Sequence, residues 1–173
     1  MAHFIQGNKR TWLALSLCIP MLMACVNRAE QAAAYNDRII TYENAIMDSF
    51  DRLDSSFADH SGSFEKLDYE FASLQAKIKQ SKLAIDSIGP FRHDPNLQIA
   101  ARQMFSSLDN LVENDYRKLI TLVKLNDSLR VQPAIADSEN VIRQRIQINF
   151  SACMTDFVTV QKEFGKKYNV TLK

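Results

Sequence analysis

Residues 89–95, Gly-Pro-Phe-Arg-His-Asp-Pro, form the firmest boundary in the chain and decide how the rest of it divides. Gly89 can adopt the left-handed conformation that ends a helix, and Pro90 cannot continue one. Asp94 and Pro95 are residue types that favour a helix start, with Asp as the cap and Pro at the first helical position. This stretch therefore predicts a short connection between two helices.

Amphipathic segments lie on both sides of this connection. Apolar residues recur mostly at steps of three and four, the spacing that keeps side chains on one face of a helix. The third segment shifts register by one residue at Val112, which we interpret as the drift of a straight helix from a strict heptad. The four predicted stripes are Tyr35, Ile39, Tyr42, Ile46, Phe50, Leu53 and Phe57; Phe64, Leu67, Phe71, Leu74, Ile78, Ile85 and Ile88; Leu97, Ala101, Met104, Leu108, Leu111, Val112, Tyr116, Leu119 and Val123; and Ile142, Ile146, Phe150, Cys153, Phe157, Val160, Phe164 and Tyr168.

Turn and cap residues separate the other helices. Ser63 follows Gly62 and is the predicted cap of the second helix. The third helix is expected to fray at residues 126–128. Pro133 lies before the fourth helix, for which Asp137 and Ser138 are candidate caps.

These features predict an all-α fold. Four amphipathic helices joined by short connections bury their stripes most simply as an antiparallel up-down-up-down four-helix bundle. We assign residues 32–173 to this domain and expect Asn169 to supply the left-handed end of the last helix. Gly165, inside the last stripe, should weaken that helix by up to about 1 kcal/mol relative to Ala.

Residues 1–24 have the pattern of a lipoprotein signal peptide. Two basic residues precede a short apolar run, and Leu-Met-Ala-Cys at 22–25 resembles the motif whose cysteine becomes lipidated. The run is too short for a membrane-spanning helix, which needs roughly 20 apolar residues. We predict that Cys25 is lipidated and that residues 25–31 form the lipidated N-terminus and a short tether. A plain secreted protein and an intracellular chain with an apolar start are the alternatives.

Lipidation predicts a membrane-attached protein of the bacterial cell envelope. Each buried acyl CH2 contributes about 0.8 kcal/mol, so several acyl chains on one cysteine hold a domain at a bilayer almost irreversibly. Val26 differs from the Asp commonly associated with inner-membrane retention, which favours the outer membrane over the inner one.

Charge and cysteine content narrow the partners further. The whole chain has 21 Lys plus Arg and 20 Asp plus Glu, and loss of Lys9 and Arg10 with the signal leaves a formal charge of −1. This balance predicts no nucleic-acid partner and no strong attraction to anionic lipid.

With Cys18 removed and Cys25 lipidated, Cys153 has no disulfide partner within the chain. Its position on an apolar stripe predicts a buried, inert thiol with a raised pKa.

Motifs for catalysis, metals or cofactors are missing from the sequence. A di-metal centre in a bundle needs Glu-x-x-His pairs, and the chain has none. His60 and His93 lie in connections expected at opposite ends of the bundle. Haem-attachment, nucleophile-elbow and phosphate-loop motifs do not occur either. We therefore expect no catalytic, metal or cofactor-binding residues, no cofactor, and a protein that is not an enzyme.

Two charged features need an explanation. Asp48, Asp51 and Asp54 follow one another at helical spacing, which we interpret as a solvated acidic ridge because a calcium loop needs a nonhelical turn with a central Gly. Asp115 lies where the third stripe shifts register, and a carboxylate near a core needs a partner. We favour a structural polar contact or plain exposure over a binding site for Asp115. The candidate partners are Arg38, Arg143 and Arg145.

Four short motifs of the mature chain are Tyr35-Asn36-Asp37, Gly89-Pro90-Phe91 with Asp94, Asp115-Tyr116, and Phe164 to Val170. With these motifs the mature chain resembles an uncharacterised family of small helical bacterial surface lipoproteins. That family has no established activity, so the resemblance implies the fold and the location but no catalytic or binding residue.

Two classes of function remain. The first is a noncatalytic, membrane-anchored envelope lipoprotein that presents a helical surface to a protein or cell-surface partner. Tyr69, off the main stripe of the second helix, and Phe91, in the connection, are its candidate partner contacts as aromatic anchors outside the core. The second is a small-ligand carrier or sensor with a cavity between the helices. A cavity of several hundred cubic ångströms would favour the second class, and a filled core with an exposed apolar patch the first.

Overall fold

Helices make up nearly all of the described chain. The computed structural model describes the backbone of residues 9–59, 64–128 and 133–172, and the side chains from residue 28 onward within those ranges. No strand occurs in these residues. The elements are α1 (Lys9–Ala58), α2 (Glu65–Ile88), α3 (Asn96–Leu111), a π-helical segment (Val112–Tyr116), α4 (Arg117–Ser128) and α5 (Pro133–Tyr168).

Four long helices form the bundle that the sequence predicted. The third of them consists of α3, the π-helical segment and α4, which follow one another without a break. α1 packs on α2, α2 packs on α3, and α5 packs on α3, α4 and α1. Hydrogen bonds from Arg92 to Gln31 and from Lys167 to Asp94 place the middle of α1 around Gln31, the 89–95 connection and the end of α5 together. This arrangement requires the helices to alternate in direction.

The predicted stripes form most of the core. Ile39, Ile46 and Leu53 of α1 and Phe157 of α5 are fully buried. Phe105 of α3 is also fully buried, although it lies outside the predicted stripes. Burial of each such side chain contributes about 1.5–3 kcal/mol relative to exposure. The stripes are therefore the main source of stability in the bundle. Their half-buried members, at the edge of the core, are Tyr42, Phe64, Ile88, Phe150, Cys153 and Val160.

A π-helical segment causes the register shift in the third long helix. The sequence predicted a gradual drift, but the wider turn of residues 112–116 makes the shift at one place. Leu111 and Val112 are both buried as a result, and Tyr116 continues the stripe. π-Helical turns occur frequently at functional sites. The π-helical segment therefore makes the region around Tyr116 a candidate for a functional site.

The 89–95 connection is a tight turn. Gly89 has φ 71°, and Arg92 and His93 have φ 47° and 69°. Phe91 and Asp94 exchange backbone hydrogen bonds of 3.1 and 2.8 Å. These bonds hold the turn between α2 and α3 in one conformation, as expected from its Gly and Pro residues.

Phe91 is buried, which corrects its prediction as an exposed partner contact. Only 8% of the residue is exposed. Its ring lies 5.2 Å from Tyr35, 5.6 Å from Phe164 and 4.9 Å from Tyr168, measured between centroids. The turn folds Phe91 inward because these three aromatic side chains leave an apolar space at the end of the bundle.

Asp94 connects the turn to α3 and α5. Its Oδ1 accepts a hydrogen bond of 3.2 Å from the backbone N–H of Asn96, in agreement with the predicted cap. Its Oδ2 accepts bonds from Lys167 Nζ at 2.8 Å and from Tyr168 Oη at 3.1 Å. The hydrogen bond from Lys167 is the main reason that the pKa of Asp94 lies below its usual value. Both oxygens of the buried Asp94 carboxylate therefore accept hydrogen bonds.

The start of α5 differs from the prediction. The helix begins at Pro133 and not at a cap near Asp137. Ser138 Oγ donates a 2.9 Å hydrogen bond to the carbonyl of Ala134, as a residue inside a helix does. Proline suits a first helical position because its fixed φ matches a helix and its missing N–H would have no partner there.

The chain that follows α5 shows why position 165 is a glycine. Asn169 has φ 55° and ends the helix as predicted. The N–H of Val170 then donates a 2.9 Å bond to the carbonyl of Gly165. A Cβ atom at Gly165 would lie 2.9 Å from Leu172 Cδ1 and 3.0 Å from Val170 O. Gly165 is therefore required by the chain that folds back over it.

The predicted tether is helical. Residues 25–31 belong to α1, and the Arg28 guanidinium already lies 5.2 Å from the centroid of the Tyr168 ring. The side chain of Cys25 and the predicted cap at Ser63 lie outside the described residues. Removal of residues 1–24 and lipidation of Cys25 stay predictions.

Candidate functional site

A groove runs between α1 and the first half of α5. Its volume is about 450 Å³, and it is open to solvent. The third long helix forms its bottom. The lining residues are Met47, Phe50, Asp51 and Asp54 of α1, Tyr116 and Leu119 of the third long helix, and Arg143, Ile146, Gln147, Phe150 and Ser151 of α5.

Three aromatic rings form the apolar part of the groove. Phe50 lies 5.5 Å from Tyr116 and 5.4 Å from Phe150 between ring centroids, and the second pair is nearly perpendicular at 85°. Such pairs contribute about 0.5–1.5 kcal/mol beyond their burial. Phe50 and Tyr116 are buried, whereas Phe150 is half-buried. Phe150 therefore offers an apolar surface to a molecule in the groove.

Ionisable side chains lie on both sides of the groove, with Asp51 and Asp54 on α1 and Arg143 on α5. Tyr116 Oη donates a long hydrogen bond of 3.4 Å to Asp54 Oδ1. Burial raises the pKa of Asp54 above its usual value, despite the opposing effects of Tyr116 and Arg143. Burial also raises the pKa of Tyr116, and the charge of Asp54 adds to that rise. Both groups are therefore more easily kept neutral than in water.

Contacts between α1 and α5 bound the groove at both ends. On one side, Gln161 Nε2 donates a buried hydrogen bond of 2.9 Å to Asn36 Oδ1. On the other side, the Arg143 guanidinium lies 5.2 Å from the centroid of the Phe57 ring. The groove is the segment of the α1–α5 interface between these contacts.

An ion pair holds the first half of α5 against the third long helix. Asp115, in the π-helical segment, is 8% exposed. Its Oδ1 accepts a hydrogen bond of 2.8 Å from Arg145 Nε, and Arg145 Nη2 lies 2.6 Å from the same oxygen in an ion pair. This contact is the structural polar contact favoured from the sequence, and Arg145 is the partner among the three candidates. It positions α5 along the groove.

Other clefts offer fewer features for binding. The cleft between α2 and α3 has a volume of about 530 Å³, but Lys82 and Asp109 on its sides form an ion pair of 2.6 Å. The cleft between α3 and α5, of about 430 Å³, is lined mainly by polar side chains, including Asn110, Asn114 and Asn149, and has no aromatic ring. The α1–α5 groove combines aromatic surface with acidic groups on α1 and a basic group on α5, and we take it as the candidate site.

The acidic ridge is the solvated surface that the sequence predicted, since Asp48, Asp51 and Asp54 are all exposed. Asp51 and Asp54 also line the groove, whereas Asp48 does not. Three residues turn a helix about 60° short of a full circle, so each successive side chain points further toward one side. The acidic side chains therefore follow the surface of α1 toward the groove. No local pattern in the sequence indicates that α5 forms the opposite side of that groove.

The remaining predicted residues lie apart from the groove. Tyr69 is 69% exposed on α2, so it is accessible, but the structure contains no partner that would test its role. His93 is exposed in the 89–95 connection, and His60 lies outside the described residues. Cys153 is half-buried, and burial raises the pKa of its thiol to about 11, as predicted.

The described residues contain neither a candidate metal centre nor a candidate membrane span. No group of three or more His, Cys, Asp or Glu side chains is placed to hold a metal ion. No helix in the part searched is both long and apolar enough to cross a bilayer.

The comparisons with known proteins give no match. No family model matches the chain, and neither a curated protein nor a solved structure does. The resemblance to a surface lipoprotein family thus stays a prediction, and the function is inferred from the groove and the sequence alone.

Proposed function

We propose that this protein is a noncatalytic bacterial envelope lipoprotein, anchored through Cys25, whose bundle presents the α1–α5 groove to a protein or cell-surface partner. The observation that carries the proposal is the half-buried ring of Phe150 beside the charged groups Asp51, Asp54 and Arg143.

The shape of the groove supports a macromolecular partner. It is an open channel between two helices, which can receive side chains that project from a partner helix or loop. Interfaces of this kind combine a central apolar contact with a polar rim. Here Phe150 is the apolar contact, and Asp51 and Gln147 are exposed polar residues at the rim.

The chemistry of the groove supports a noncatalytic role. A nucleophile needs an adjacent base within hydrogen-bond reach. The described hydrogen bond in the groove joins Asp54 to the phenol of Tyr116, whose raised pKa makes it a poor acid and whose ionised form is disfavoured. These two groups are suited to recognition by hydrogen bonding.

A small-ligand carrier is the second candidate. Its support is the groove volume of about 450 Å³, which lies within the usual range of ligand pockets, roughly 300–1,000 Å³. The ligand would be amphipathic, with an apolar body against Phe50 and Phe150 and a hydrogen-bonding or cationic group near Asp54.

Photo-crosslinking in intact envelopes tests the proposal. Benzoylphenylalanine replaces Gln147 at the groove in one variant and Tyr69 on α2 in the other, since both positions are exposed. We expect a defined crosslinked product from position 147 and none from position 69. A product from position 69 alone would contradict the groove as the binding site. Release of one small molecule from the purified, unfolded protein, with no crosslinked protein, would favour the carrier.

A separate experiment tests the anchor. Cells that express the native chain or Cys25→Ala are fed a labelled fatty acid, and their membranes are isolated. The native protein should incorporate the label and sediment with membranes, because acyl chains on a cysteine supply the anchor. A Cys25→Ala protein that still carries the label would contradict lipidation at this residue.

A further inference from the structure

One end of the bundle contains a cluster of cations. This proximal end consists of residues 28–35, 89–95 and 165–172, which the antiparallel packing brings together. Its exposed charged residues among these are Arg28, Arg92, Lys166, Lys167 and one carboxylate, Glu30. Asp94, the other carboxylate of these segments, is buried and forms an ion pair of 2.8 Å with Lys167. Four cations against two carboxylates leave the described part of the proximal end with a net positive charge.

The cations lie close together because aromatic and amide groups hold them. The Arg28 guanidinium and Lys167 Nζ lie 5.2 and 5.6 Å from the centroid of the Tyr168 ring. Arg92 Nη2 donates a 2.9 Å hydrogen bond to Gln31 Oε1 of α1. Arg28, Arg92 and Lys167 are thus held beside residues 28–31 of α1, against the repulsion that would separate free side chains. The ion pair with Asp94 also holds Lys167 in place.

The opposite, distal end has the reverse charge. Its described segments are residues 54–59, 64–68, 124–128 and 133–139. Lys66 and Lys124 are the cations in these segments, and each forms an ion pair there, with Asp59 and Asp68. The carboxylates are more numerous: Asp54, Asp59, Glu65, Asp68, Asp127, Asp137 and Glu139. The formal charge near zero therefore conceals a separation of charge along the bundle.

The cation cluster lies directly beside the predicted lipid anchor. Cys25 precedes Arg28 by three residues of helix α1, which is about 4.5 Å along the axis. The Debye length at physiological ionic strength is about 8 Å. Charges on Arg28 and on the groups beside it would therefore lie within reach of the headgroups into which the acyl chains insert.

From this placement we infer that the proximal end binds the anionic phospholipid headgroups of the bilayer that holds the acyl chains, so that the bundle stands with its acidic distal end away from the membrane. The inference rests on the acylation of Cys25 in the proposed function. It revises the expectation from net charge alone, which predicts no strong attraction to anionic lipid. The groove would then be held at a fixed height above the bilayer.

Fluorescence quenching on vesicles tests this inference. The mature acylated protein carries a fluorophore at Thr171→Cys on the proximal end or at Asp127→Cys on the distal end, since both residues are exposed. It is inserted into vesicles of phosphatidylcholine, or of phosphatidylcholine with one quarter phosphatidylglycerol, with a quencher on the headgroups. Quenching at position 171 should be stronger in the anionic vesicles, and quenching at position 127 should be weak in both.

Charge variants show whether quenching at position 171 arises from the cations of the proximal end or from the acyl anchor alone. Arg28→Gln, Arg92→Gln and Lys166→Gln together should reduce the ratio of bound to unbound proximal ends about a hundredfold, since each charge near an anionic surface changes such an equilibrium roughly fivefold. The matched control changes three cations elsewhere, Lys77→Gln, Lys79→Gln and Lys118→Gln, and should retain the quenching of the native protein.

Two outcomes would overturn the inference, and they are distinguishable. Flotation with both kinds of vesicle but equal quenching at position 171 would contradict binding to anionic lipid while leaving the anchor intact. Failure to float even with phosphatidylcholine vesicles would contradict the acyl anchor, and the inference would fall with it.

Discussion

Tyr116 Oη and Asp54 Oδ1 lie 3.4 Å apart and join the π-helical segment to the acidic side of the groove. The two residues are 62 positions apart in the chain, and each belongs to a different long helix. Because burial raises the pKa of Asp54, its charged form is disfavoured in the folded protein. The raised pKa thus predicts that the charge of Asp54 opposes folding at neutral pH.

Asp54→Asn should therefore make the protein more stable at pH 7. Because the pKa of Asp54 is raised in the folded protein, ionisation of its carboxyl lowers the free energy of unfolding as pH rises. The gain in the free energy of unfolding of Asp54→Asn should therefore shrink below about pH 4, where the carboxyl is protonated in the folded and the unfolded chain alike. Urea unfolding at pH 7 and pH 3.5 measures both values. The control Asp48→Asn removes a charge from the exposed surface of the same helix and should change the free energy of unfolding less. A variant less stable than the parent at pH 7 would contradict this assignment.

Asp94→Ala should destabilise the protein by about 2–3 kcal/mol, because Tyr168, Lys167 and the N–H of Asn96 lose their acceptor. The lowered pKa of Asp94 means that its contribution is fully present above the unfolded value of about 3.9 and is lost as pH falls through the folded pKa. The difference between parent and variant should accordingly narrow in acid. Chemical denaturation over a pH series measures it, and a loss as small as that of the exposed control Asp86→Ala would argue against the role of Asp94.

Gly165→Ala should destabilise the bundle by about 1–3 kcal/mol, although helix propensity alone favours Ala. The added Cβ would lie 2.9 Å from Leu172 Cδ1 and 3.0 Å from Val170 O. Adding Leu172→Ala to this variant should recover part of the loss, because only the backbone contact then remains. Thermal unfolding of the single and double variants measures the effect, and a higher melting temperature for Gly165→Ala would contradict the described end of α5.

Asp115→Ala should destabilise the protein by about 1–3 kcal/mol, because the buried carboxylate accepts a hydrogen bond from Arg145 and forms an ion pair with it. It should also lower crosslinking from position 147, since α5 loses a contact that positions the groove. Arg117→Ala, which breaks an exposed ion pair with Glu113, should cost about 0.3–0.5 kcal/mol. An Asp115→Ala protein as stable as the parent would rule out the structural contact.

Residue patterns in the sequence predicted most of the core and the helix boundaries at Gly89, Asp94 and Asn169. They did not predict the burial of Phe105 or the start of α5 at Pro133. Stripes at helical spacing identify the buried side of each helix, as Ile46 and Leu108 show, because burial and periodicity are local properties. Gly89 and Asn169 could be assigned for the same reason, since a left-handed residue is a local requirement.

The groove and the burial of Phe91 could not be predicted in this way. Phe91 lies in a connection, where aromatic residues are often exposed, and its burial depends on Tyr35 and Phe164 in distant helices. Asp54 and Arg143 become neighbours only when α1 and α5 pack together, and nothing near either residue specifies that pairing. Tertiary contacts between distant segments decide these features.

Crosslinking from position 147 in intact envelopes, combined with a groove variant, tests the central claim most directly. Phe150→Ala removes the apolar surface of the groove, whereas the control Leu83→Ala removes an exposed side chain from α2. We expect the crosslinked product to be lost in Phe150→Ala and retained in Leu83→Ala. Equal product in both variants would contradict the claim that the groove is the surface presented to a partner.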